Sequence, residues 1–213
     1  MRVVAFIDGF NLYHAIDDLG KNHLKWVNLR KLCEHFTPTP QFELREIYYF
    51  SAYSTWRPAA YKRHREYVGA LSSVGVTPVM GRFKEKDRHC FNCGSRWKDH
   101  EEKEADVNLA LYMMLEAMKE SFDSLLLISG DSDFAPAIRM IRREFPNKSV
   151  KVIAPVGRRY SMDLLNAAGG KHHGKQMKPF HLERSLFDKM VMHASGQLVT
   201  IRPRKYDPPR KLS

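Results

Sequence analysis

The chain has 213 residues, 43% of them hydrophobic, which is enough to bury one full core and short for two domains. Lys and Arg total 35 against 24 acidic residues, a formal charge of +11 with a pI near 9.6, and this favours a polyanionic partner such as nucleic acid. No run approaches the roughly 18–20 consecutive apolar residues of a membrane span, and three cysteines are too few for a disulfide framework, so a soluble, cytoplasmic protein is expected.

The opening residues imitate a signal peptide only in part, because the apolar run is about five residues long and ends on Asp8. Residues 3–7 are therefore predicted as a first strand. A helix is predicted over 28–36, a strand over 46–51, a helix over 59–74 and a strand over 76–80. Between about 84 and 103 the composition becomes charged and poor in strand signals, which marks an insertion shaped by something other than apolar burial. A helix over 106–121 follows, with Val107, Ala110, Leu111, Met114, Leu115 and Met118 at helical spacing as its predicted buried face. A strand over 124–129, a helix over 134–144, a strand over 150–155 and a helix over 161–168 complete the pattern. Alternating strands and helices imply an α/β fold with a mostly parallel, doubly wound sheet.

The insertion carries Cys90 and Cys93 at C-x-x-C spacing, which supplies half of the four tetrahedral ligands of a structural Zn²⁺. His100 is the first choice for a third ligand, with His89, Asp99 and Glu101 behind it; free thiols or a redox pair are the alternative. Such a zinc would fasten an insertion that lacks its own core. Ser161 follows Arg158 and Arg159 and opens the helix over 161–168, a start that suits either a bound phosphate or an ordinary cap. From about Gly196, residues Arg202, Arg204, Lys205, Arg210 and Lys211 lie among three prolines, the pattern of an extended or disordered basic arm.

Three acidic motifs fall where chain direction brings them together: Asp8-Gly9-Phe10-Asn11, Glu104-Ala105-Asp106, and Gly130-Asp131-Ser132-Asp133. Two follow strands, and sites in open α/β sheets form beyond the carboxyl ends of strands. Crowded carboxylates repel one another unless cations neutralise them. Hard Mg²⁺ or Mn²⁺ prefers such oxygen ligands and assists in-line attack on a phosphodiester, with Asn11 placed to position a water or a carboxylate. Taken singly, each motif also serves structure: Gly9 a tight turn, Asn11 and Asp131 to Asp133 helix caps, and Asp106 a favourable charge at a helix start.

These motifs resemble those of the NYN domain, a PIN-like nuclease family, in its LabA-like branch, over residues 1–168. The resemblance rests on Phe6-Ile7-Asp8-Gly9-Phe10-Asn11-Leu12-Tyr13, on Lys103-Glu104-x-Asp106-Val107 and on Ser129-Gly130-Asp131-Ser132-Asp133-Phe134. It implies a three-layer α/β/α sandwich and Mg²⁺- or Mn²⁺-dependent cleavage of RNA, with Asp8, Asp106, Asp131 and Asp133 as ligands and Glu104 as a further catalytic candidate. One departure stands out: relatives often carry an Ala-Asp pair after the last helix, where this chain reads Ala167-Ala168-Gly169-Gly170. Residues 169–213 are then a C-terminal extension ending in the basic tail.

Phosphates would be drawn in by Arg57, Lys62, Arg63 and Arg65 on one helix, by Lys84, Lys86 and Arg88 in the insertion, and by the tail. Tyr53, Trp56, Tyr61 and Trp97 are candidates for stacking on unpaired bases, with core burial expected for at least two. Single-stranded RNA is the favoured partner. DNA is not excluded, because phosphate contacts carry no base information, and a homodimer is left open. Two other readings compete: an RNA-binding or regulatory module of the same fold without turnover, and a glycosyltransferase using Asp131-x-Asp133, which the short chain and the Asp8 turn disfavour.

Overall fold

The computed structural model describes residues 1–192 and 198–209. In chain order the elements are β1 (Arg2–Asp8), α1 (Gly9–Asp17), α2 (Leu29–Glu34), β2 (Glu43–Ala52), α3 (Pro58–Ser73), β3 (Thr77–His89), β4 (Arg96–Lys103), α4 (Ala105–Met118), β5 (Ser124–Ile128), α5 (Ala135–Glu144), β6 (Ser149–Ala154), α6 (Met162–Ala168), β7 (Gly174–Gln176), α7 (Pro179–Arg184), β8 (Met190–Met192) and β9 (Leu198–Thr200). Seven strands form one sheet in the order β4, β3, β2, β1, β5, β6, β7. Every neighbouring pair is parallel except β3 and β4.

The alternation of β1 explains the layering. A strand sends successive side chains to opposite faces, and here both faces are covered. Val3, Ala5 and Ile7 enter one core with residues of α1, α2, α3 and α7, while Val4 and Phe6 enter a second with residues of α4, α5 and α6. The result is the expected α/β/α sandwich with a mostly parallel sheet. β1 is central, with β2 on one side and β5 on the other. The chain leaves β1 towards β2 and later crosses to β5, so a crevice opens at the carboxyl end of β1, where connections diverge. Among the described residues no helix is long and apolar enough to cross a membrane.

Three expectations are corrected. The segment 84–103 is not strand-poor: β3 continues through it and pairs with β4 over eight rungs, Arg82 with Lys103 to His89 with Arg96. Its strands lack an apolar pattern because charged partners face each other instead, Lys86 with Glu101 at 3.5 Å, Arg88 with Asp99 at 3.2 Å and Lys98 with Glu85 at 2.5 Å. The buried face of α4 is also different in large part, with only Ala110 and Met114 of the predicted residues packed against the core, both partly buried. Ala105, Leu109, Met113 and Ala117, four residues apart, meet the sheet, whereas Val107 and Leu111 are 62% and 60% exposed and Leu115 and Met118 also face outward. The helix is apolar on two sides, so spacing alone did not choose between them.

The tail is the third. Its described part is docked rather than free: Trp26 Nε1 donates to Ile201 O at 2.9 Å, and the Tyr206 ring stacks on Trp26 with centroids 5.0 Å apart. Lys189 meets Asp207 at 2.9 Å. Tyr206 and Ile201 give this otherwise basic stretch apolar anchors that its composition hides. Gly196, Arg210 and Lys211 lie outside the described residues.

Candidate active site

The site begins where β1 ends. Asp8 caps α1, its Oδ1 accepting from Asn11 N at 3.0 Å. Its Oδ2 accepts from Ser129 Oγ at 2.8 Å. The same Ser129 Oγ accepts from Asp131 N at 3.0 Å, and Asn11 Oδ1 accepts from Gly130 N at 3.0 Å. Two of these bonds lace the turn after β1 to the turn after β5, one more stiffens each turn, and the Asp8 carboxylate is held through both oxygens. Gly9 is required here for close approach: a Cβ would lie 2.5 Å from Phe50 O and 2.6 Å from the Tyr49 ring. Asp131 in turn caps the short helical turn that follows it, accepting from Asp133 N at 3.0 Å.

The third motif arrives from the hairpin side. Asp106 occupies the first turn of α4. Glu102, the last but one residue of β4, accepts from Ala105 N at 3.0 Å through Oε1. Asp8, Asn11, Glu102, Asp106 and Asp131 all line one cavity of about 980 Å³. Asp133 does not line it, although its charge reaches Asp106.

Electrostatics mark the carboxylates of the cavity as lacking cation partners, although Arg57, Arg63 and Lys205 stand elsewhere on its wall. Asp8, only 6% exposed, has its carboxyl pushed up to about 6; burial is the main cause, repulsion from Asp106 and Asp131 adds to it, and the bonds from Asn11 and Ser129 oppose it. Burial also raises Asp106, helped by Asp131 and Asp133. Burial raises Glu102, with further repulsion from Asp106 and Glu104. Among the described residues none of these carboxylates has a Lys, Arg or His salt-bridge partner. An all-oxygen, uncompensated donor set of this kind suits a hard divalent cation. Among the described residues, however, no group of three or more His, Cys, Asp or Glu side chains is already drawn together tightly enough to hold an ion.

Other candidate residues lie elsewhere. Glu104 adopts a left-handed backbone, φ 83°, and its carboxylate meets Arg82 Nε at 2.7 Å, outside the cavity lining. Glu102 stands in its place, and sequence reasoning missed it among four consecutive charged residues. Its signal was the hairpin register, since Glu102 faces Phe83 across the rung. Ser129 was also missed as the hydroxyl that binds Asp8. Arg158 lines the cavity and pairs with Asp18 at 2.6 Å. Arg159 and Ser161 do not line it, and Ser161 Oγ accepts from Leu164 N at 3.3 Å as the cap of α6.

Cys90 and Cys93 sit in the turn between β3 and β4. Cys90 N donates to Ser95 O at 2.8 Å and Gly94 N to Cys90 O at 2.9 Å, with Gly94 at φ 71°. Hydrogen bonding to Ser95 holds the Cys93 thiol down at about 7. His100 does not join them. It faces Glu85, four rungs beyond the His89 and Arg96 pair, roughly 13 Å along the strand at about 3.3 Å per residue. Its ring lies flat on Trp56 instead, with centroids 3.7 Å apart.

Comparison with known proteins bears on the family and on the fold. The family model described as NYN domain matches residues 2–173. The "Low amplitude and bright protein LabA" of Synechococcus elongatus is 28% identical over 142 residues, 66% of this chain and 68% of that protein. The "6-hydroxy-3-succinoylpyridine 3-monooxygenase HspA" of Pseudomonas putida is 27% identical over 210 residues, 80% of this chain and 66% of that protein. The chain thus spans about two thirds of either relative. A crystal structure of a Vibrio parahaemolyticus protein of unknown function shares the fold at a TM-score of 0.53 and 19% identity, covering 87% of this chain and 96% of that one.

Proposed function

Because this chain belongs to the NYN-domain family of PIN-like nucleases, whose members act on RNA, we propose that it is a divalent-metal-dependent ribonuclease hydrolysing phosphodiester bonds of single-stranded RNA, most simply as an endonuclease. The observation that carries the reading is the convergence of three separate sequence motifs. Asp8, Asp106 and Asp131 face one cavity, where burial first and the neighbouring Asp131 charge second raise the proton affinity of Asp8 and Asp106, without a salt-bridge partner among the described residues.

Asp8, Asp106 and Asp131 would hold Mg²⁺ or Mn²⁺, with Asp133 at the margin. Such ions, when bound, polarise a phosphate oxygen and supply a water of lowered pKa. The chain's own residues do the rest. Asn11 and Ser129 fix both oxygens of Asp8, so its direction is set before substrate arrives, which is the preorganisation that electrostatic catalysis relies on. Glu102 adds a fourth carboxylate of raised proton affinity, free to exchange a proton at Oε2 while its Oε1 is engaged by Ala105 N. Arg57, Arg63 and Lys205 on the cavity wall would neutralise backbone phosphates on either side of the cut.

A binding module without turnover is the second reading, favoured by the carboxylates standing apart in the ligand-free chain. One assay separates the two. Purified protein incubated with labelled single-stranded and duplex RNA and DNA, with Mg²⁺, Mn²⁺ or EDTA, should cut single-stranded RNA in the presence of metal and leave it whole in EDTA. Binding without cleavage under every metal condition would establish the module instead.

A further inference from the structure

We propose that Trp56, braced by His100 and Phe83, is a stacking platform for one unpaired nucleobase beside the acidic centre. The inference rests on the RNA reading above and adds to it the group that positions the strand. It starts from the hairpin register. In an antiparallel pair, directly opposed residues share a face, as do positions two apart. Phe83 opposes Glu102 and Glu85 opposes His100, so Phe83, Glu102 and His100 lie on one face, the face that carries an acid of the candidate site.

Trp56 stands on that face. It comes from the loop after β2, and its indole lies against the His100 ring at 3.7 Å and 9°. The Phe83 ring meets it nearly at right angles, centroids 4.6 Å apart, and Phe10, two residues after Asp8, packs on Phe83 at 5.8 Å. An unbroken aromatic row therefore runs from the Asp8 turn to His100. Although contacted by two rings, Trp56 remains 38% exposed and lines the cavity that holds Asp8, Glu102, Asp106 and Asp131.

An exposed indole held rigid within a site of opposite chemistry is what base stacking requires, since every base offers a π-face and the ordering cost has been met in advance. Arg57, the next residue, and Arg63 of α3 share the same cavity wall and form no salt bridge among the described residues, so phosphates flanking the stacked base have cations to meet. Stacking is indifferent to base identity; the platform predicts tolerance of sequence and demand for an unpaired base.

The test uses the full chain in EDTA, where binding is read without cutting. Single-stranded RNA oligonucleotides, each with one abasic position moved stepwise along the strand, are titrated by anisotropy. With wild type, one position should cost affinity by about tenfold, the scale of one base stacked on an aromatic ring. Trp56→Ala should bind intact RNA about tenfold more weakly and show a flat abasic profile. Trp56→Phe, which keeps a ring against His100, should retain the position. In a Trp97→Phe background, where Trp26 is buried, binding should quench the Trp56 fluorescence. A wild-type profile in Trp56→Ala, or no RNA binding by wild type, overturns the platform. If the abasic position persists and depends on Trp56 while Mg²⁺ and Mn²⁺ give no cleavage, the platform stands and the nuclease reading falls.

Discussion

In the hairpin formed by β3 and β4, Lys86, Arg88 and Lys98 face Glu101, Asp99 and Glu85 across the strands in contact with water. One residue beyond Glu101, and again at the start of α4, Glu102 and Asp106 turn instead into a cavity where no salt bridge meets them among the described residues. The same residue types do opposite work a few positions apart. Exposed pairs contribute roughly 0–1 kcal/mol each and mainly hold a strand register that lacks apolar guidance. Unpaired carboxylates withdrawn even partly from water cost stability, a cost that a divalent cation would offset on the proposed reading. Compensated charge in this chain builds structure, and uncompensated charge marks the site.

Glu102 and Glu104, separated by Lys103 alone, give the sharpest way to break that contrast. Glu102→Gln, which preserves the oxygen accepting from Ala105 N, should lower RNA cleavage roughly 10–100-fold, the scale of losing a group that supports a metal centre. Glu104→Gln, which disturbs the exposed pair with Arg82 and relieves only a minor repulsion on Glu102, should leave the rate near wild type. Equal effects of the two would remove the distinction.

A smaller effect concerns stability. The folded-state value of Asp8, about 6, lies above its ordinary 3.8, so the native protein binds the proton more tightly than the unfolded chain. Stability is therefore lost as pH rises from about 4 through 6, and the cost of the ionised carboxylate is fully present above that window. In EDTA at pH 8, Asp8→Asn should raise Tm by a few degrees, given about 2–4 °C per kcal/mol for a chain of this size, and the gain should vanish near pH 4. Mg²⁺ or Mn²⁺ should raise Tm of wild type more than that of Asp8→Asn. A lower Tm for the variant at pH 8 would mean that the Asn11 and Ser129 bonds outweigh burial.

The smallest effect belongs to the hairpin tip. Cys93 is exposed with its thiol held near 7, whereas Cys33 is buried and pushed up to about 12. Alkylation at pH 7 should reach Cys93 first and spare Cys33, added Zn²⁺ should slow it if Cys90 and Cys93 bind the ion, and cleavage should change little after Cys90→Ser. Loss of activity on that substitution would tie the tip to the site.

The acidic edge was legible because its motifs join two independent local signals. A strand ending in Asp8-Gly9 and another followed by Gly130-Asp131 fix turn chemistry and chain direction together, and parallel topology then brings the ends into one crevice. The hairpin was not legible, because ion pairs between strands leave no periodic apolar trace and so hid β4, the place of Glu102 in the cavity and the distance of His100 from the cysteines. The buried face of α4 failed for the opposite reason, an excess of apolar residues: Leu109 and Met113 look inward while Val107 and Leu111, equally apolar, look out. Tyr206 gave no local sign that it would stack on Trp26, since that contact joins residues 180 positions apart.

The central claim, that uncompensated carboxylates at the carboxyl edge of the sheet gather the metal that cuts RNA, is tested most directly by single-turnover cleavage of single-stranded RNA in Mn²⁺ by wild type and Asp131→Asn. Far-ultraviolet circular dichroism should match between the two, because only one carboxylate oxygen is replaced. The account predicts a loss of roughly 10²–10³-fold or more, the scale of removing one preorganised electrostatic contact, with binding of RNA in EDTA unchanged or tighter. Cleavage by Asp131→Asn at the wild-type rate would contradict it.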